Sequence, residues 1–249
     1  MVGICFINYT GCMYVTSRDD YPKVLVAIPT YEGKDYIFHE NFKCIKALQY
    51  PNWDYIYIDN SPTMDYYLKL RRRGAKVAHV PRGSNSRQAL CNSQNYARKK
   101  CLDEGYDFLM FIESDLLPPP ESIQRLVNHD QRIVGAVYYI GHEVKVPCIF
   151  FKYFDETKNS YATRLISLKE VPTFLFKGLQ KVHGMGLGCT LIRRDLVERF
   201  PFWHDERFDN KHSDVYFYME LENTGISVAA DSDFIVPHFP SKWEQVLDK

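Results

Sequence analysis
The sequence predicts an α/β protein built on a doubly wound, mainly parallel sheet, and three observations carry that prediction. Short apolar runs recur at residues 24–29, 55–59, 76–80 and 108–112, each too short for a core helix. Segments with apolar side chains at helical spacing separate them. The order is therefore β-α-β-α-β-α-β, with no internal repeat and no low-complexity tract, which is the pattern of parallel strands joined by crossover helices.

Each element has its own reason. Residues 24–29 form a β-branched run stopped by Pro29, and the chain leaves it through Thr30, Tyr31, Glu32 and Gly33. Tyr36, Ile37, Phe42, Ile45 and Leu48 predict a helix over 35–49, which Pro51 ends. The second strand, 55–59, closes on Asp59. Asn60-Ser61-Pro62-Thr63 is a turn that caps a helix carrying Tyr66, Tyr67, Leu68 and Leu70. A third strand, 76–80, and a loop, 81–86, lead to a helix over 87–102 with Leu90, Tyr96, Ala97 and Leu102 inward. The fourth strand, 108–112, runs into Glu113-Ser114-Asp115, and Pro118 to Pro120 prevent a helix from starting at once.

The second half is less regular. It predicts a short helix over 123–127, a strand over 133–140, an aromatic-rich strand over 146–154 pairing antiparallel with its neighbour, and a polar flap over 155–170. A glycine-rich turn from His183 runs into a strand ending at Arg194, and Asp195 opens a short helix. His212-Ser213-Asp214 precedes a helix over 215–223, stopped by Gly225, and 226–230 and 235–239 close the fold. Residues 1–21 read as an extension or edge strand, 22–240 as one domain, and 241–249 as a tail.

Composition narrows the function classes. Acidic and basic residues balance at 31 each in 249 residues, so no global field points to nucleic acid or an anionic membrane, although Arg71 to Arg73 and Lys99-Lys100 are local basic runs. Seven scattered cysteines without C-x-x-C spacing indicate neither a disulfide framework nor a zinc site, which fits a reducing, cytoplasmic setting. The first residues carry no basic start or cleavage pattern. No apolar run reaches the roughly 18 residues of a membrane span.

Chemistry is concentrated at strand ends. Glu113 and Asp115 are two apart, so on an extended backbone they point the same way, at the edge where open α/β sheets bind ligands. Such a pair suits a hard divalent cation that carries phosphates, and the alternative is a solvated strand end. Gly184, Gly186 and Gly188 alternate and follow no first strand, so they are not a dinucleotide fingerprint. They read either as a tight turn or as backbone passing close under a ligand.

The ordered set of first-strand Pro-Thr-Tyr, second-strand Asp, Glu-Ser-Asp, glycine-rich turn with Arg-Arg, Ser-Asp before a helix and a late His resembles the GT-A glycosyltransferases of the family 2 type, over roughly residues 22–240. The resemblance implies a Rossmann-like mixed sheet with a nucleotide-binding half, 22–117, and a smaller, partly antiparallel acceptor-binding half, 118–240. It implies transfer of a sugar from a nucleotide-diphosphate donor, UDP-linked by preference, to the hydroxyl of a glycan or other acceptor, with Mn²⁺ or Mg²⁺. On it, Pro29, Thr30, Tyr31 and Glu32 hold base and ribose, Asp59 accepts from the base, and Arg87 faces the diphosphate. Glu113-Ser114-Asp115 stands for the Asp-x-Asp motif, with Glu in place of its first Asp, and His238 completes the metal site with Glu113 and Asp115. Asp214 matches the general base of inverting members, with Ser213 where the family has Glu; a helix cap is its other reading. His183, Gly184, Gly186 and His212 are acceptor-side candidates, with His183 and His212 also able to meet the diphosphate. Asp59 has an alternative too, as the start of an Asx-turn. The rival functions are a nucleotidyltransferase, a non-catalytic sugar- or nucleotide-binding module of the same fold, and transfer to a nucleic-acid base, which net neutrality disfavours.

Overall fold
The structure is a computed structural model, and it describes residues 5–8, 11–14, 17–141, 143–157, 159–207 and 212–240. The tail expected at 241–249 lies outside the described residues. Two strands, β1 (Cys5–Asn8) and β2 (Gly11–Tyr14), pair with each other antiparallel. The parallel core then follows as β3 (Val24–Thr30), α1 (Phe38–Lys46), β4 (Trp53–Asp59), α2 (Asp65–Arg72), β5 (Val77–His79), α3 (Ser86–Asp103) and β6 (Phe108–Ile112). Beyond it come α4 (Ser122–Asn128), β7 (Ile133–Val137), β8 (Tyr139–Ile140), β9 (Val146–Pro147), β10 (Ile149–Asp155) and β11 (Ser160–Leu165). The chain closes with α5 (Val171–Phe174), β12 (Leu179–Val182), β13 (Gly184–Met185), β14 (Cys189–Arg193), α6 (Arg194–Arg199), α7 (Ser213–Asn223) and β15 (Val228–Ile235).

Among the described residues, eight strands form the main sheet in the order β12-β15-β7-β14-β6-β3-β4-β5. Alternation along β3 divides the core in two. Leu25 and Ala27 face one side with Ala97 and Cys101 of α3, Leu196 of α6 and Phe217 of α7; Val24, Val26 and Ile28 face the other with Phe38 of α1, Leu70 of α2 and Ile123 of α4. Both faces are thus covered, which is why the strand reads as an unbroken apolar run. The pairings β3–β4, β3–β6, β4–β5 and β7–β15 are parallel. β14 enters between β6 and β7 antiparallel to both, and β12 lies antiparallel on β15, so the sheet is mixed.

Several expectations need correction. The helix expected from residue 35 begins at Phe38, because Glu32–Lys34 forms a single 3₁₀ turn first. The strand expected over 133–140 breaks at Tyr138, whose side chain turns into the core at 3 % exposure. Tyr96 points outward and is 36 % exposed, while Ala89, Gln94 and Cys101 take the buried stripe of α3. The last long strand extends from Val228 to Ile235 instead of stopping at 230, since Asp231 and Ser232 are buried with partners. Among the described residues no helix is long and apolar enough to cross a membrane.

Candidate functional site
Sheet register alone brings the candidate acids to one edge. Parallel pairing sets Thr30 opposite Asp59 and aligns β3 with β6, so the exits through Tyr31, Asn60 and Glu113 open on the same side. Past β6 the backbone is held by the chain's last described turn. Leu117 N donates to Pro237 O at 3.0 Å and Phe239 N to Asp115 O at 3.0 Å, and Leu116 bridges His238. His238 therefore sits beside Asp115 although the two are 123 positions apart in the sequence.

Glu113, Asp115 and His238 offer ligand atoms that all lie within 4.8 Å of one another. His238 Nδ1 is 2.7 Å from Tyr139 O, and a carbonyl only accepts, so Nδ1 carries the proton and Nε2 is turned to the carboxylates, 3.3 Å from Asp115 Oδ2. That committed proton is the arrangement that orients metal-binding histidines. Two carboxylate oxygens and one imidazole nitrogen suit Mn²⁺ or Mg²⁺. The residues present fit such an ion.

The cluster is electrostatically divided. Burial, then the neighbouring Asp115 charge, pushes the Glu113 carboxyl up to about 7. Burial acts the same way on Asp115, but the hydrogen bond from His238 and the charge of Lys34 outweigh it and hold that carboxyl below its ordinary value. Lys34 is a residue that sequence reasoning passed over. Its Nζ lies 2.5 Å from Asp115 Oδ2, reached from the 3₁₀ turn 81 residues earlier.

A cavity of about 280 Å³ opens beside the cluster, close to the roughly 300 Å³ at which ligand pockets begin. Its lining includes Pro29, Thr30, Tyr31, Lys34, Glu113, Ser114, Asp115 and His212, all but Lys34 anticipated. It also includes Asn60, Ser86 and Arg82, whose guanidinium lies 5.6 Å from the Tyr31 ring centre. Arg87 stands one residue into α3, half-buried and outside this lining, and Glu32 is exposed and outside it as well. Asp59 is fully buried, with Oδ1 accepting from Ser61 N and Oγ at 3.0 and 2.6 Å and Oδ2 2.9 Å from His79 Nδ1. It makes the Asx-turn in this structure.

Asp214 stands on the other side of the α7 amino end. His212 is the N-cap residue and Asp214 lies inside the first turn, so Asp214 is not the cap; its Oδ1 accepts from Val215 N at 2.8 Å. Burial raises its pKa, which the His212 charge opposes. With His183, Gly184 and Tyr218 it lines a second cavity of about 30 Å³. Ser213 Oγ donates to Gln94 Oε1 at 2.6 Å, both buried, and so fixes α7 against α3.

Close packing against tyrosine rings, and not a tight turn, accounts for the glycines. Gly184, Gly186 and Gly188 have no positive φ, so no tight turn demands them. A Cβ on Gly184 would meet the Tyr218 ring at 3.1 Å, and one on Gly186 or Gly188 would strike Tyr138 at 1.9 or 2.7 Å. Tyr138 in turn lies edge-on to His238, ring centres 5.5 Å apart. A larger groove, about 660 Å³, opens at the opposite strand ends near Pro22, Asp107 and Arg193; Arg193 is paired with Asp195 there, and among the described residues no metal-ligand cluster faces it.

The family model described as glycosyl transferase family 2 matches residues 25–200. The chain belongs to glycosyl transferase family 2. Among solved structures, the family 2 chain is similar to S. aureus TarS, with 16 % identity, a TM-score of 0.57, and coverage of 88 % of this chain and 37 % of TarS. A TarS fragment, residues 1–349, gives 16 % identity and a TM-score of 0.53, covering 87 % and 60 %. GalNAc-T7 with UDP, GalNAc and Mn²⁺ gives 13 % identity and a TM-score of 0.59, covering 87 % and 44 %. These likenesses show the GT-A fold. The chain spans less than two thirds of each of these three neighbours. No curated protein matches the sequence.

Proposed function
We propose that this family 2 glycosyltransferase moves a sugar from a UDP-linked donor to a hydroxyl of a glycan or similar acceptor, with inversion. One observation carries the reading: the Glu113–Asp115–His238 cluster, with the His238 Nδ1 proton committed to Tyr139, at the mouth of a cavity lined by the Pro29-Thr30-Tyr31 exit. The GalNAc-T7 structure containing UDP and Mn²⁺ supports a UDP-linked donor and a divalent ion. Glu113, Asp115 and His238 would hold Mn²⁺ or Mg²⁺, which would neutralise charge on the departing diphosphate.

The chain's own groups divide the rest. Thr30 and Tyr31 flank base and ribose, while Lys34, Arg82 and His212 supply positive charge and donors on the diphosphate side of the same cavity. Asp214, at the second cavity, takes the acceptor's proton as its oxygen attacks the anomeric carbon from the face opposite the leaving phosphate. Burial raises its affinity for that proton, which strengthens it as a base. His183 and Gly184 border the acceptor. On the same reading 22–117 is the donor half and 118–240 the acceptor half. The test is proton NMR of UDP-hexoses with Mn²⁺, with EDTA, and with Asp214→Asn. Donor consumption that needs the ion, yields the inverted anomer and is lost in Asp214→Asn is expected; unchanged turnover in that variant would remove Asp214 from the reaction.

A further inference from the structure
The carboxylate cluster already holds a cation of the protein's own. Lys34 Nζ approaches Asp115 Oδ2 to 2.5 Å, and that same oxygen faces His238 Nε2 at 3.3 Å. The Lys34 side chain is 13 % exposed and that of Asp115 2 %, so solvent screens the pair little. The backbone that carries the lysine is pinned. Lys34 N donates to Tyr31 O at 2.9 Å, Glu32 N donates to Ser61 Oγ at 2.8 Å, and Gly33 is overlaid by the Tyr31 ring, which a Cβ would meet at 2.4 Å. Only the four-carbon side chain is left to choose a partner.

The charges then decide who can share the site. Two carboxylates, one ammonium and one imidazole are close to balance without a divalent ion. An ion arriving alone meets an ammonium on the oxygen it needs, and like charges a few ångströms apart repel by kilocalories in a partly buried site. An ion arriving with a diphosphate does not, because the diphosphate offers Lys34 anionic oxygens in the cavity that Lys34 itself lines. We propose that Lys34 is an internal counter-cation of the donor site: it holds Asp115 while no divalent ion is bound, moves to the diphosphate when one arrives, and so makes the binding of ion and nucleoside diphosphate mutually dependent. The inference rests on the donor-site reading above. By linkage, the factor by which diphosphate tightens the ion equals the factor by which the ion tightens diphosphate.

Mn²⁺ titration followed by the electron paramagnetic resonance of the free ion tests this, with and without saturating UDP, on the wild type, Lys34→Met and Lys34→Arg. Thermal melts confirm that each variant is folded. Lys34→Met keeps the length and drops the charge; it binds Mn²⁺ alone about tenfold or more tightly than the wild type, and UDP tightens Mn²⁺ much less in it. Lys34→Arg follows the wild type. Lys34→Met binding Mn²⁺ alone no more tightly than the wild type overturns the proposal. Failure of the donor reading looks different: UDP then binds no variant, with or without Mn²⁺, and the proposed coupling falls with it even if Lys34→Met gains affinity for the ion.

Discussion

Gly186→Ala tests whether the glycine segment is shaped by Tyr138, and whether Tyr138 in turn holds His238. A Cβ at this position would stand 1.9 Å from Tyr138 Oη, 2.8 Å from its Cζ and 2.8 Å from Cys148 Sγ. Neither neighbour can swing into solvent, since Tyr138 is 3 % exposed and Cys148 7 %. Overpacking a close-packed site by one methyl costs about 1–3 kcal/mol, and rigid neighbours on two sides put this case near about 3. For a chain of this size that lowers Tm by about 6–12 °C. The way to relieve the clash is to move the Tyr138 ring, which lies edge-on to His238 with 5.5 Å between ring centres. Mn²⁺ affinity therefore falls too, by about tenfold to a hundredfold, as when an outer partner of a ligand is disturbed. Tyr138→Phe alone costs about 1 kcal/mol, because Gly188 N donates to the hydroxyl at 3.3 Å. It also removes the 1.9 Å contact, so the double variant is more stable than the two single losses imply, by about 1 kcal/mol or more. Urea denaturation supplies the cycle and Mn²⁺ titration the second readout. Additivity within about 0.5 kcal/mol, or unchanged Mn²⁺ affinity in Gly186→Ala, refutes the reasoning.

Three other outcomes follow from the same geometry. Asp214→Asn lowers kcat by about 10²- to 10⁴-fold while the donor's Kd stays put, and an equal loss of donor binding would assign Asp214 to the wrong side of the reaction. Mn²⁺ affinity rises as pH climbs through about 7 and then levels, because burial and the Asp115 charge hold the proton on Glu113 to about 7, the His238 pKa is also raised, and both ligands must be deprotonated; titrations at about pH 6 and about pH 8 that agree would contradict this. Asp231, buried against burial's own upward pull, accepts from Arg125 at 2.7 and 3.1 Å and sits 2.8 Å from His129, and its pKa is lowered. A depressed carboxylate contributes stability above its unfolded value that is lost as pH falls through the folded one, so Asp231→Asn destabilises by about 2–3 kcal/mol near neutrality and flattens the acid limb below about pH 4; an unchanged acid limb would contradict the pairing.

What could be read from the sequence were the features that a strand or helix fixes locally. The apolar runs gave β3, β4 and β6 because both faces of those strands are covered, and the two-residue spacing of Glu113 and Asp115 survives because β6 stays extended to its end. His238 was legible from its place after the last strand. The remainder depends on partners far along the chain. Lys34 was passed over because a 3₁₀ turn has no sequence period and its partner lies 81 residues on. The packing around the glycines has no local signal, because the rings that crowd their side-chain positions come from Tyr138, where the predicted strand breaks and turns inward, and from Tyr218. Nothing local marks β14 as the strand inserted between β6 and β7, since its apolar run suits either direction equally. Arg82 rather than Arg87 lines the cavity because α3 starts at Ser86, capped by Asn85 from Gln88 N at 2.9 Å, and the preceding loop turns the earlier arginine toward Tyr31.

The central claim is that a metal-assisted nucleotide site is built on Asp115. Calorimetric titration of UDP with Mn²⁺, repeated with EDTA and on Asp115→Ala, tests it most directly. The account predicts binding to the wild type that requires Mn²⁺ and is lost in Asp115→Ala. UDP binding of equal strength in EDTA, or in Asp115→Ala, would contradict it.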